Sequence, residues 1–212
     1  MKVKTGLFVL PLLFTGCLNL NLKQILPSVK DYDLNVGAIE AQTCKSTLSV
    51  GLLEVLSADL YNTKSIVKRT LAGEITYLKE QKFADAPTNM FKRMLFLQAP
   101  KHCISISPAP YANAPSTLQL NVLTLALLDD NTAEVVLDYT LTTGAESQHK
   151  RIVQKQPIPK EQDLSQIQAL QRVSLKAIDQ LLAQIEQTAP KKEQQSKKDE
   201  GLKGPKLNKS TF

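Results

Sequence analysis

The sequence has few of the residues from which enzyme and metal sites are usually built. It contains no tryptophan, two histidines and three cysteines in 212 residues. His102 and His149 stand apart from any second ligand at metal-binding spacing, and we expect both to be solvated. No Gly-x-Ser-x-Gly, phosphate-binding glycine loop or Cys-x-x-Cys is present. The adjacent Asp129 and Asp130 suit a turn, so the sequence predicts a protein with no catalytic residue, no metal and no bound cofactor.

A hydrophobic run long enough to span a membrane is also missing. Leu7–Gly16 is about ten residues, whereas a spanning helix needs roughly 20. Met1–Lys4 places two lysines ahead of this run, which is the order of a secretory signal peptide. No A-x-A pattern follows; the run leads into Cys17, which resembles a bacterial lipobox. We expect residues 1–16 to be a lipoprotein signal peptide and Cys17 to carry covalent lipid, the alternative being an uncleaved segment with an unmodified cysteine.

The folded part of the chain has no excess of charge of either sign. The net charge of +6 comes from Lys2 and Lys4 and from residues 190–212, where seven lysines face three acidic residues. Residues 5–189 hold seventeen basic and seventeen acidic residues, and the whole chain has only four arginines. A nucleic-acid-binding face needs clustered basic residues with interleaved aromatics, so we expect no nucleic-acid partner.

Lipidation of Cys17 leaves two cysteines, Cys44 and Cys103. Export places them where disulfides persist, and a bridge between them is one interpretation. It would close a loop of about 60 residues and add roughly 4 kcal/mol on the chain-entropy model. The other interpretation is a pair of unbonded small apolar residues, since Cα atoms more than about 7 Å apart cannot be bridged. Cys103 falls on the polar phase of its strand, which suits a bridge better than a core position.

Apolar periodicity divides the chain into a tether, one domain and a tail. Residues 17–30 show no lasting periodicity, and residues 189–212 are lysine-rich with almost nothing apolar, so we expect both to be disordered. Residues 31–188 form the predicted domain. Its expected strands are Tyr32–Leu34, Thr47–Leu56 with a phase shift at Leu53, Ile66–Arg69, Glu74–Lys79, a strand from Ile104, a strand from Leu118, Ala133–Leu141 and Lys150–Gln156.

Two helices complete the predicted domain. Asp85 as a cap and Pro87 in the first turn indicate a helix that Pro100 ends. Asp163 with Gln166 three residues on resembles a capping box before a long amphipathic helix. We therefore predict an α+β fold, a mostly antiparallel (mixed) sheet with two helices packed on one face.

The residues from Ser46 to Leu95 carry most of a resemblance to a known protein family. The chain resembles the ABC-type transport auxiliary lipoproteins, the PqiC-like group, which carry a Tyr-x-Leu strand soon after the lipidated cysteine and then short motifs in a set order. The matching residues are Tyr32-Asp33-Leu34, Ile66-Val67-Lys68-Arg69, Glu74-Ile75-Thr76-Tyr77, Phe83 in place of the usual Trp, and Pro87 before a helix.

The resemblance implies a non-enzymatic lipoprotein that serves an MCE-type ABC transport system moving lipids between the inner and outer membranes. Its implied partners are an MCE-domain protein and the permease and ATPase, with the membrane held through the lipid anchor. We expect it in the bacterial cell envelope, at the outer membrane facing the periplasm, because Leu18 is not the aspartate that retains enterobacterial lipoproteins at the inner membrane.

Two other functions fit the same sequence. One is a structural or surface lipoprotein of the envelope, an adhesin or antigen whose lysine-rich tail contacts the cell wall. The other is a lipid carrier whose sheet and helices enclose a pocket. For any protein partner, the candidate contact residues are the aromatics Tyr61, Phe83 and Tyr111.

Overall fold

The computed structural model describes residues 28–36, 43–109, 114–159 and 165–188. The predicted signal peptide, Cys17, most of the tether, Tyr111 and the tail lie outside these residues. The elements follow the order β1 Lys30–Tyr32, β2 Leu48–Ser57, β3 Ser65–Arg69, β4 Ile75–Phe83, α1 Pro87–Gln98, a 3₁₀ helix Ala99–His102, β5 Ile104–Pro108, β6 Ser116–Leu128, β7 Thr132–Thr143, β8 Glu146–Pro157 and α2 Ser165–Thr188.

The strands form one mixed eight-stranded sheet around β6. One side of β6 pairs with β7, which in turn pairs with β8. The other side is shared by β2 and β3, which carry β5 on one flank and β4 with β1 on the other. The two longest ladders, β6–β7 and β7–β8, are antiparallel, whereas β1–β4, β2–β5, β2–β6 and β3–β6 are parallel. The predicted α+β class with a mixed sheet and two helices is confirmed.

Bulges explain why two strands change the side on which they are buried. The ladder between β2 and β6 shifts between Leu52 and Glu54, so Leu53 has no partner and is exposed. The ladder between β6 and β7 shifts likewise between Val122 and Thr124. An extra residue in one strand reverses the alternation beyond it. The phase shift expected at Leu53 is therefore a bulge.

The start of α1 differs in detail from the prediction, whereas its end agrees. Asp85 lies one residue before the N-cap, which is Ala86 and has no side-chain cap. The Asp85 carboxylate instead accepts bonds from the Ala86 N–H at 2.7 Å and the Asn89 amide at 3.1 Å. These two hydrogen bonds hold the pKa of Asp85 below its ordinary value, and the bond from Asn89 has the larger effect. Helix α1 ends at Gln98 with Ala99 as its C-cap, directly before Pro100 as predicted, and the chain continues into the 3₁₀ helix, whose first turn needs no N–H from Pro100.

Both helices pack on the same side of the sheet and enclose one continuous apolar core. Helix α2 lies mainly on β7 and β8, while α1 lies on β2 and β5 and touches α2. Alternate residues of β7 point into this core, among them Val135 and Leu137, both fully buried. A second, small cluster of Tyr61, Val67 and Ala126 lies on the opposite side of the sheet. The sheet therefore has a helix-covered face and a face that no described helix covers.

Candidate interaction surface

The side of the sheet away from the helices is called the outer face below. On β7 and β8 it is built from alternate residues that the ladder sets in rows across the two strands. Its rows are Thr140–His149, Asp138–Arg151, Val136–Val153 and Glu134–Lys155. Because side chains alternate along a strand, the residues between them point to the helices, and Ile152 is the one buried residue of β8.

Two of these rows are ion pairs. Arg151 donates from Nε to one Asp138 oxygen at 2.7 Å and from Nη2 to the other at 2.8 Å. This bidentate bond from Arg151 holds the pKa of Asp138 below its ordinary value, with a smaller contribution from the charge of His149. Glu134 is paired with Lys155 at 3.1 Å and with Arg69 at 2.9 Å. Each carboxylate of β7 is therefore matched by a cation of β8.

The cations of β8 remain accessible although they are paired. The side chains of Arg151 and Lys155 are 61% and 53% exposed, whereas that of Glu134 is 9% exposed. Val153 lies between them and is 52% exposed. The outer face thus presents a solvated apolar residue between two solvated cations, and this arrangement can contact a partner of complementary charge.

The predicted cysteine pair is bonded in the structure. The Sγ atoms of Cys44 and Cys103 are 2.14 Å apart and the Cα atoms 5.6 Å apart. Cys103 follows the 3₁₀ helix with φ of 54°, and its carbonyl accepts the Leu48 N–H at 2.9 Å. The bond therefore ties the segment that leads into β2 to the end of the helical path that leads into β5.

The two histidines differ in environment. His149 is 70% exposed on the outer face, as expected of a solvated side chain. His102 is not solvated, since its ring is 15% exposed and lies between two carboxylates of α2. Its Nε2 is 2.9 Å from Asp179 and its Nδ1 is 3.4 Å from Glu186. His102 therefore joins the 3₁₀ helix to α2, a contact that spacing along the sequence cannot reveal.

The aromatic contact candidates lie mostly inside the molecule. Phe83 is 2% exposed and belongs to the main core. Tyr61 is 7% exposed in the small cluster on the outer face, where its hydroxyl accepts a bond from Arg69 at 3.4 Å. Tyr111 lies outside the described residues. Phe83 therefore offers a partner no contact surface, because its side chain is buried in the core.

Concave sites in the described residues are small. A cavity of about 290 Å³ lies where β3 and β6 end, between Lys68, Leu128 and Ile158, with Asp129 at its rim. That volume is at the lower limit of pockets that hold drug-sized ligands. Among the described residues, no three His, Cys, Asp or Glu side chains group in a way that could hold a metal ion. The features that stand out on this surface are therefore the charged rows and the exposed valine.

No described helix is both long and apolar enough to cross a membrane. The fold and surface define an α+β domain with one covered and one open sheet face. The chain belongs to the ABC-type transport auxiliary lipoprotein component family, whose model matches residues 32–186. The match runs from the end of β1 almost to the end of α2, so it includes strands β2 to β8 and helix α1 in full.

Solved structures with little sequence similarity share the fold. One, described as an uncharacterized protein, is 11% identical with a TM-score of 0.64, and the alignment covers 74% of this chain and 99% of that one. A Xanthomonas campestris protein of the DUF330 family is 11% identical with a TM-score of 0.59, covering 69% of this chain and 90% of that one. No curated protein matches the sequence significantly. At this identity the likeness concerns the fold alone.

Proposed function

We propose that the protein is the lipid-anchored accessory subunit of an MCE-type ABC transport system that moves lipids between the inner and outer membranes. The observation that carries this proposal is the family match over residues 32–186, which spans almost the whole domain. The family is one of transport auxiliary lipoproteins. The lipid cargo and the MCE-domain partner rest on the sequence resemblance of Ser46–Leu95.

The anchor in this proposal is covalent lipid on Cys17, the first residue after the signal peptide of residues 1–16. A multiply acylated cysteine buries many methylenes at about 0.8 kcal/mol each, which holds a protein permanently at a membrane. We place the domain on the periplasmic side of the outer membrane, because Leu18 follows the cysteine. Residues 17–30 then set its distance from that membrane.

In this role the domain works by docking rather than by chemistry. Asp138 is bound by Arg151, which holds the pKa of that carboxyl below its ordinary value, whereas a general base needs a pKa near the working pH. Accessible cations and an exposed valine on the outer face offer contacts for a protein. ATP hydrolysis and substrate passage would belong to the other subunits.

Crosslinking in intact membranes tests the proposal. The full-length protein with a C-terminal affinity tag is crosslinked in its native cells, purified under denaturing conditions and analysed by mass spectrometry. We expect an ABC ATPase, a permease and an MCE-domain protein to be enriched. The Cys17→Ser variant is the matched control, and we expect it to lose both lipid labelling and membrane attachment.

The opposite outcome is equally informative. Recovery of cell-wall fragments without any transporter subunit would contradict the proposal and favour a structural envelope lipoprotein. A Cys17→Ser variant that still incorporates palmitate would show that the anchor lies elsewhere.

A further inference from the structure

Strand β8 is a long sheet edge with one described neighbour. It has twelve residues and pairs along its whole length with β7. No described strand lies on its other side. The other edges of the sheet are shorter, since β5 has five residues, β1 has three, and β4 has no second described neighbour only along residues 75–80. A free edge exposes a row of N–H and C=O groups that can pair with an added strand.

The turn before β8 determines which of its backbone groups face that edge. Thr143 pairs with Glu146 across the two-residue turn of Gly144 and Ala145. Gly144 has φ of 59°, the positive value that the first position of a type II′ turn requires. The pair that closes such a turn is hydrogen-bonded, and bonded pairs then recur at every second residue.

It follows that the N–H and C=O groups of the even-numbered residues of β8 bond to β7. Those of the odd-numbered residues point away from β7, towards the edge of the sheet. Pro157 fits this phase, because it has no N–H and lies at an odd position. The odd-numbered residues are also those whose side chains form the outer face. The open backbone groups and outer-face side chains therefore belong to the same residues, namely Ser147, His149, Arg151, Val153 and Lys155.

An added strand would extend the rows of the outer face by one residue each. One residue of the added strand would lie beside Val153, and an apolar residue suits that position. The residues two positions before and two positions after it in the added strand would lie beside Lys155 and Arg151. Carboxylates suit those two positions, since opposite charges on neighbouring strands attract and both cations are more than half exposed. The fitting segment has the alternating pattern acidic, apolar, acidic.

A second copy of the chain fits this edge poorly. If two β8 strands paired antiparallel about Val153, Arg151 of each would face Lys155 of the other. A pairing displaced by two residues sets His149 beside Lys155 and Arg151 beside Val153, or else Val153 beside Lys155, and in neither case does a carboxylate face a cation. Like charges directly opposite each other destabilise a sheet, and lysines on an edge commonly prevent self-association. The same charges attract an acidic strand.

We propose that β8 binds an extended, acidic segment of a partner protein, which adds antiparallel to the sheet with an apolar residue beside Val153 and carboxylates beside Arg151 and Lys155. The added strand continues the β6–β7–β8 series of antiparallel pairs. This inference concerns the chemistry of the segment and does not depend on the partner being a lipid transporter.

The test uses a defined peptide and the full-length protein in detergent. The probe is acetyl-Thr-Glu-Thr-Val-Thr-Glu-Thr-amide, and binding is followed by the amide shifts of the ¹⁵N-labelled protein. We expect saturable shifts along β8, with slowed hydrogen exchange at Arg151, Val153 and Lys155 in particular. A peptide in which lysine replaces both glutamates should bind more weakly by about tenfold, because two cross-strand pairs of up to about 1 kcal/mol each become repulsive.

Two controls separate strand addition from general attraction of charge. N-methylation of the peptide valine removes a backbone donor without altering charge or protein folding, and we expect it to abolish binding. In the protein, Lys155→Gln should weaken binding by about threefold, whereas Lys150→Gln, on the same strand but with its side chain towards the helices, should leave it unchanged.

Three results would overturn the proposal. The first is equal binding of the acidic and lysine peptides, and the second is equal binding of the N-methylated peptide. The third is self-association of the protein, measured by sedimentation, that Val153→Pro disrupts, because loss of this edge N–H would then assign the edge to a second copy.

Discussion

Strand β7 presents apolar side chains to one face of the sheet and charged or polar side chains to the other. On the helix-covered face, Val135 and Leu137 of β7 are fully buried in one continuous core. On the outer face, Glu134 and Asp138 of the same strand are paired with cations of β8. The residues concerned are neighbours in sequence, so the pleat alone separates a packing surface from a charged one.

This difference separates stability from recognition. Burial of apolar side chains gives the covered face most of the folding free energy, at about 25 cal/mol per Å² removed from water. Solvated ion pairs such as Asp138–Arg151 contribute little by comparison, about 0–1 kcal/mol each. We therefore expect substitutions of exposed residues on the outer face to leave the protein folded, and substitutions of buried residues on the covered face to destabilise it.

The largest effect is expected from a core substitution on the covered face. Phe91 of α1 is fully buried, and Phe91→Ala should lower the free energy of unfolding by about 3–5 kcal/mol through lost burial and the cavity left behind. Urea unfolding followed by circular dichroism measures the change. The matched control on the outer face is Val153→Ala, for which we expect a change of less than about 0.5 kcal/mol. Equal losses from both variants would show that the outer face is also packed.

The next largest effect is expected from reducing the Cys44–Cys103 disulfide, which fastens the helical path to the sheet. Its loop spans 59 positions, so its loss should destabilise the protein by about 2–4 kcal/mol. Urea unfolding with and without reductant measures this loss, and Cys44→Ala with Cys103→Ala should match the reduced protein and not respond to reductant. A reductant effect in the double variant would contradict a stabilising role for the bond.

The local elements of the covered face could be predicted from the sequence because neighbours in sequence determine them. The β3–β4 and β6–β7 hairpins, the bulge at Leu53 and the long α2 all follow from alternation, turn residues and helical spacing. The cysteine pair followed from counting and from the export signal. Family resemblance then gave the order of the elements.

The outer face could not be predicted, because it depends on which strands become neighbours. Strand β6 pairs in parallel with both β2 and β3, partners remote in sequence that packing selects. That choice leaves β8 with β7 as its one neighbour among the described strands and buries Phe83, which the sequence analysis had named as a candidate contact residue. One signal was available: β8 carries Lys150, Arg151 and Lys155 around Val153 and ends at Pro157, and lysines and proline are typical of an edge strand.

A smaller effect is expected from Glu134, the most buried carboxylate of the outer face. Glu134→Gln removes the charge that Arg69 and Lys155 share, and we expect a loss of about 1–2 kcal/mol in the free energy of unfolding. The control is Glu146→Gln, the exposed first residue of β8, which should change stability by less than about 0.5 kcal/mol. If both variants unfold at the same urea concentration, the buried pairing contributes nothing measurable.

The smallest effect, from the exposed pair Asp138–Arg151, is distinguished by its dependence on pH. The bond from Arg151 lowers the pKa of Asp138 in the folded protein, so its stabilisation is complete above the ordinary aspartate pKa of about 3.9 and is lost as pH falls through the lowered folded pKa. Arg151→Gln should therefore cost less than about 1 kcal/mol at pH 7 and progressively less below about pH 4. Urea unfolding at pH 7 and at pH 3 measures both values. The control is Arg172→Gln on α2, because Arg172 bonds the neutral Gln168 at 3.5 Å. The cost of that substitution should not change with pH. A cost for Arg151→Gln that is the same at both pH values would mean that Arg151 stabilises the outer face by packing rather than by its charge.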